Sequence, residues 1–167
     1  MRQAASRPLR RTLGLLQAMR TTSEVKAFLD GSEQLSSRIT LRLASAEPLA
    51  AKEPQLAADA VVTSFGFAPI GRLAWCVLST NEAAELLKKM LHRSLAYHQE
   101  LLSLKSAEYA AHVLVESLSR YNSHFLANGS INSGSADWTP IGTATFEMAV
   151  VGYDEAQAFL LYAEDED

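Results

Sequence analysis

A histidine needs a partner before it can do chemistry, and the four histidines of this chain meet different partners. His98 follows Ser94 by four residues. In a helix that spacing stacks the two side chains on one face, where an imidazole can act as base toward a hydroxyl. A working hydrolase also needs an acid to orient the histidine and donors for the oxyanion. No G-x-S-x-G elbow is present to organise them. The competing reading is a core histidine hydrogen-bonded to a hydroxyl or a carbonyl. Ser94 and His98 are therefore the catalytic candidates, without a complete set around them.

His112 stands between Glu108 and Glu116, four residues to either side. This Glu–His–Glu stripe could hold a metal if another segment completed the shell. Its helical phase lies opposite Ala110, Leu114 and Leu118, however, which puts it toward solvent. There Glu116 also has Arg120 within i,i+4 reach, an ordinary surface pair. His92, beside Lys88 and Lys89, reads as surface. His124 reads as the end of a helix. The single cysteine, Cys76, sits in the apolar run RLAWCVLS and reads as a buried thiol. No paired-cysteine zinc motif, EF-hand loop, H-E-x-x-H, P-loop or dinucleotide fingerprint is present, so no cofactor is expected.

Charge supplies a different candidate. Residues 1–18 carry Arg2, Arg7, Arg10 and Arg11 and no acid. The rest of the chain holds all 19 acids against the other 11 of 15 bases, a balance of −8. An acidic body disfavours nucleic acid, which needs a basic face, and suits a basic protein partner. Asp154 and Glu155 in one turn, and Glu164, Asp165, Glu166 and Asp167 after it, would present acids at both ends of a hairpin. Trp138, beside a polar loop, is a candidate interface anchor. Composition therefore favours a non-enzymatic protein-interaction domain. Immunity proteins and antitoxins work by that logic, an analogy that no motif supports. Two alternatives stand beside it. One is a small-ligand or hydrolytic domain using a sheet–helix cleft, which requires a concave pocket with His98 at its wall. The other is an organellar accessory protein, if the basic first 18 residues are a transit peptide.

The elements that must position these residues follow from periodicity. The chain has 167 residues, 48% hydrophobic and 20% charged, with no apolar run long enough for a membrane span. Residues 1–19 read as a basic extension, with Met19 as a candidate start. Residues 20–167 read as one soluble domain, cytoplasmic unless the extension is mitochondrial. Thr21 with Glu24, and Ser79 with Glu82, have capping-box spacing and open helices. Ile39, Leu41 and Leu43 alternate with polar residues as a half-buried strand. Residues 47–54 read as a connection. Two strands are predicted near 60–67 and 71–79, around an APIG turn.

Residues 80–126 contain no glycine or proline and read as helical. Their apolar phase reverses near residues 103–106, which predicts two helices, 80–103 and 106–126. ANGSINSGSADW reads as a polar loop. The remainder reads as a hairpin turning at GYDEA. In its first strand Ala144, Phe146, Met148 and Val150 share one face, and Thr143, Thr145 and Glu147 the other. The fold class is thus α+β: an antiparallel sheet of about four or five strands, with two longer helices packed on one face. Strand order and oligomeric state stay open.

Overall fold

The computed structural model describes residues 19–46, 49, 52–118, 120–132 and 135–166. Residues 1–18 and Asp167, with their readings above, lie outside the described residues, as do residues 47, 48, 50 and 51 of the 47–54 connection, whose last residue, Pro54, begins a helix. Among the described residues no helix is long and apolar enough to cross a membrane.

The fold is α+β, with one five-stranded antiparallel sheet. Helix α1 (Thr22–Asp30) carries the full capping box: Thr21 Oγ1 accepts from the Glu24 amide and Glu24 Oε2 accepts from the Thr21 amide. A short α2 (Glu33–Ser36) leads into β1 (Ile39–Ser45). Then come α3 (Pro54–Ser64), β2 (Cys76–Leu78), α4 (Thr80–His92) and α5 (Leu104–Glu116). Ser79 and Glu82 form the second capping box, at the start of α4. The chain closes with β3 (His124–Ala127), β4 (Gly129–Asn132), β5 (Ser135–Trp138), β6 (Phe146–Tyr153) and β7 (Gln157–Asp165). The main sheet runs β1-β7-β6-β3-β2, and β4 with β5 forms a separate two-stranded ribbon.

Helices α4 and α5 pack on each other over one face of the sheet, joined by α1, as the apolar stripes required. Phe125, Met148, Val150, Phe159 and Leu161 point into that core. The opposite face is covered too. Helix α3 lies against β3, β6 and β7, and buries Leu126, Ala149, Val151 and Leu160 together with Trp75 and Ile141.

This second layer corrects the strand expected at 60–67. Those residues finish α3, because Ala57, Ala58, Val61 and Val62 fall on one helical face and are buried. Pro54 suits the first turn, and Gly66, at φ +87°, follows the helix end. The β-rich composition of VVTSF was a weaker signal than that period. Residues 68–75 then run irregularly and are hooked onto α3 by one carboxylate. Asp59 accepts from the Ile70 and Gly71 amides at 2.9 and 3.0 Å and from Trp75 Nε1 at 2.8 Å. The strand expected over 71–79 is reduced to Cys76–Leu78, and Cys76 is exposed on this edge strand rather than buried.

The helix expected over 80–103 ends at His92, and the one expected over 106–126 ends at Glu116. His124 begins the inner strand β3 and stacks on Tyr153 with ring centroids 4.9 Å apart, so it caps no helix. The loop expected in ANGSINSGSADW is the β4–β5 hairpin. Glu147, expected on an outer face, is 0% exposed. Its carboxylate accepts from the Ile141 amide, from the Gly142 amide at 3.0 Å and from Tyr162 Oη at 3.0 Å. The hydroxyl of Tyr162 is held well above the ordinary range, first by burial and then by the Glu147 charge.

Glu164 lies directly across from Glu147 in the β6–β7 register. Burial raises its pKa first, and the charges of Glu166 and Glu147 add to the rise, while a Tyr162 hydrogen bond opposes them. A carboxyl that binds its proton more tightly when folded contributes stability below its unfolded-chain pKa. That contribution is lost as pH rises through the folded value. Glu164→Gln is therefore expected to raise the thermal midpoint at neutral pH, where the native carboxylate is charged. The gain should vanish in acid below the ordinary Glu range. Melting curves across pH check both signs.

Candidate ligand-binding pocket

Helix α4 stops at His92, and Arg93 turns to an extended conformation at φ −135°, ψ 146°. Residues 93–100 then close a tight loop. Arg93 bridges Glu100, the Ser94 amide donates to Gln99 O at 2.9 Å, and the Leu101 amide donates to His92 O at 2.8 Å. Ser94 Oγ accepts from the Gln99 amide at 3.0 Å. His98 sits near the tip at φ +52°, the left-handed region. His92 Nδ1 lies 2.7 Å from Leu102 O, and a carbonyl only accepts, so Nδ1 carries the proton. The Nε2 lone pair then receives Arg93 Nε–H at 3.3 Å, and Arg93 Nη1 donates to His98 O at 2.9 Å.

One buried carboxylate fixes this loop to the end of the sheet. Asp165, on β7, accepts from the Ala96 amide at 2.9 Å through Oδ2 and pairs through Oδ1 with the Arg38 guanidinium. Tyr97 Oη adds a bond to Glu166 O at 3.2 Å.

The facing wall is the β4–β5 hairpin. Asn128 is buried and aims it: its Oδ1 accepts from the Ala149 amide at 2.7 Å, and its Nδ2 donates to Thr139 O at 3.0 Å. Gly129 follows where two backbones nearly touch; a Cβ there would lie 2.0 Å from Asp137 O and 2.6 Å from Trp138 Cα. Lys89 Nζ donates to Ile131 O at 3.0 Å, tying the hairpin to α4. The Trp138 ring tilts against Phe146, with centroids 5.8 Å apart.

Between loop and hairpin is a cavity of about 470 Å³, within the size range of small-molecule sites. Leu95, Ile131, Ala136, Trp138 and Phe146 give it an apolar lining. Among the described residues, Lys89, His92, Arg93 and His98 supply every ionisable group on its wall, and no acid lines it.

Ser94 and His98 both reach this pocket, but not as a helical pair. They lie in a loop, His98 is exposed, and the two exchange no hydrogen bond. Trp138 is here as well, in the pocket wall rather than beside the acids. Lys89, Arg93, Ile131 and Phe146 escaped the sequence reading. A signal existed for the first two: residues 86–99 hold five basic or imidazole side chains and no acid.

The other candidates stay apart. His112 Nε2 is 3.2 Å from Glu116 Oε2, and Glu116 Oε1 is 3.8 Å from Arg120, on the exposed face of α5. Glu108 is one turn before His112, and among the described residues no three metal-ligating side chains converge. The acids expected at a partner surface are divided. Asp154 is buried in the β6–β7 turn, accepting from the Ala156 and Gln157 amides at 2.8 and 2.9 Å. Asp165 is buried against Arg38. Glu155 and Glu166 are exposed, but at opposite ends of β7, whose nine residues span roughly 30 Å at about 3.3 Å each. Glu164 is half-buried between them.

Asp165→Asn leaves the Arg38 guanidinium without its counter-charge. A cost of about 1–3 kcal/mol is expected, below that of a fully buried pair because Arg38 keeps some solvent access. Faster hydrogen exchange at the Ala96 amide would mark the loosened loop. Gly129→Ala forces β4 off β5, because backbone cannot yield as a side chain can. A loss of about 1–3 kcal/mol in urea unfolding is expected, with a red shift of indole emission as Trp138 leaves its seat.

No protein-family model matches this chain, and neither the curated proteins nor the solved structures provide a match.

Proposed function

We propose that this protein is a small-ligand-binding domain, and that its site is the pocket between the 93–100 loop and the β4–β5 hairpin. The observation that carries the reading is the pocket itself: a concave space of about 470 Å³ with an apolar lining and a few polar groups among it. Small-molecule sites have this make-up, apolar surface for affinity and a few placed polar groups for orientation. Both walls are also fixed, one by Asp165 and the other by Asn128. A site held this way loses little ordering entropy when it binds.

A hydrolytic role has less support, because the Ser94 hydroxyl already accepts from the Gln99 amide and His98 does not reach it. A basic protein partner would need a continuous acidic patch, and Asp154 and Asp165 are hydrogen-bonded inside the fold.

The test is titration with N-phenyl-1-naphthylamine, a neutral fluorophore that brightens in apolar sites. The expected result is saturable binding at a single site. Trp138→Ala should weaken it by roughly tenfold or more, the loss of an aromatic contact surface. Ala136→Phe, which fills the cavity, should block it. Probe binding that survives both substitutions would remove the reading. Melting curves of the two variants establish that they are folded.

A further inference from the structure

We infer that the ligand of this pocket is an amphipathic organic anion, an apolar body ending in a negatively charged head. The inference rests on the pocket being a ligand site, and it adds the charge of what enters.

Among the described residues the wall carries Lys89, His92, Arg93 and His98 and no carboxylate, although the chain outside residues 1–18 has a balance of −8. A rim drawn at random from that composition would on average hold more acids than bases. The cations are also unspent. Lys89 Nζ donates to the carbonyl of Ile131, and Arg93 donates to the carbonyl of His98 and the ring of His92. Neither forms an ion pair with a carboxylate among the described residues. An ammonium has three donors and a guanidinium five, so both retain donors for a ligand. A guanidinium and an ammonium near one apolar cleft are suited to a carboxylate, sulfonate or phosphate head, through charge-assisted hydrogen bonds.

A competing explanation exists for part of this set. Lys89 lies in the last turn of α4, where the helix dipole favours a cation. That accounts for neither Arg93 nor His98, which lie beyond the helix. Leu95 on the loop, Ile131 and Trp138 on the hairpin, and Phe146 of β6 offer an apolar surface to the rest of the ligand. Cationic groups and apolar surface in one cleft thus match the two ends of an amphipathic anion. A neutral lipid or a sugar would make no use of the first, and a cation would be repelled by it.

Displacement of bound N-phenyl-1-naphthylamine tests this with decanoate, 1-decanol and decyltrimethylammonium, which share an alkyl body and differ in the charge of the head. All are used below their micellar concentrations. Decanoate is expected to displace the probe at a concentration on the order of tenfold lower than decanol, and the cation is expected to be the weakest. Added salt should erode the advantage of decanoate over decanol. Lys89→Gln should bring the decanoate-to-decanol ratio toward one, and Lys89→Glu should invert the order of anion and cation. Lys89 is an exposed helix residue, so these variants are expected to fold, and the salt series on the native protein needs no variant. Equal displacement by decanoate and decanol, or preferred displacement by the cation, would overturn the inference while leaving the pocket reading in place. Probe binding indifferent to Trp138→Ala and Ala136→Phe would remove both.

Discussion

Strands β6 and β7 have almost no face to give to water. From Glu147 to Tyr153 and from Ala158 to Ala163 every residue is buried, so both surfaces of the pair must be roofed by something else. That requirement organises the molecule. One roof is the α4–α5 pair with α1 beside it; the other is α3 with the Asp59-anchored segment that follows. Antiparallel sheets commonly leave one face wet. Here the near-continuous apolar composition of AVV and AFLLYA leaves no such choice. Glu147 is the exception within this dry interior, and it is tolerated because two amides and a tyrosine hydroxyl satisfy it.

The same accounting positions the pocket. A buried carboxylate costs several kcal/mol unless it is paired and hydrogen-bonded. Asp165, the last residue of β7, obtains one partner from Arg38 and another from the amide of Ala96. The loop that forms one side of the pocket is therefore held where an internal charge needs a donor. The opposite side is held by Asn128, whose side chain adds bonds to the Ala149 amide and to Thr139 O beside the backbone bonds it already makes to the same two residues. Neither Asp165 nor Asn128 is itself in the cavity.

How much of this was legible depended on whether the signal was local. Both capping boxes were readable because Thr21–Glu24 and Ser79–Glu82 satisfy each other within one turn. The alternation in Ile39–Leu41 was readable for the same reason, and so was the β6–β7 turn, where Asp154 bonds amides two and three residues on. Failures came where a distant neighbour decided. The stretch 124–127 has no glycine or proline to end a helix, and it becomes a strand because β6 and β2 flank it on either side. Residues 60–64 carry strand-like composition, yet their partner is a sheet face, against which a helical stripe fits. His98 reached the pocket by a route its helical phase did not suggest. The pocket's cations were visible only as a run without acids, a pattern with no geometry until β4 and β5 supplied the other wall.

The strand order carries a consequence for how the protein comes into being. Among the described residues β1, at residues 39–45, has no neighbour in the sheet except β7, at residues 157–165. During vectorial synthesis β1 leaves the ribosome well before β7. Until β7 emerges, Ile39 and Leu41 have no sheet to join, and α1 can pack only on β1 and the helices. Closing so long a loop is slow and leaves apolar surface transiently exposed. The nascent chain thus has a strong reason to engage a holding chaperone, and a ribosome stalled before β7 would release a chain with no β1 pairing and no Asp165 to seat the pocket loop.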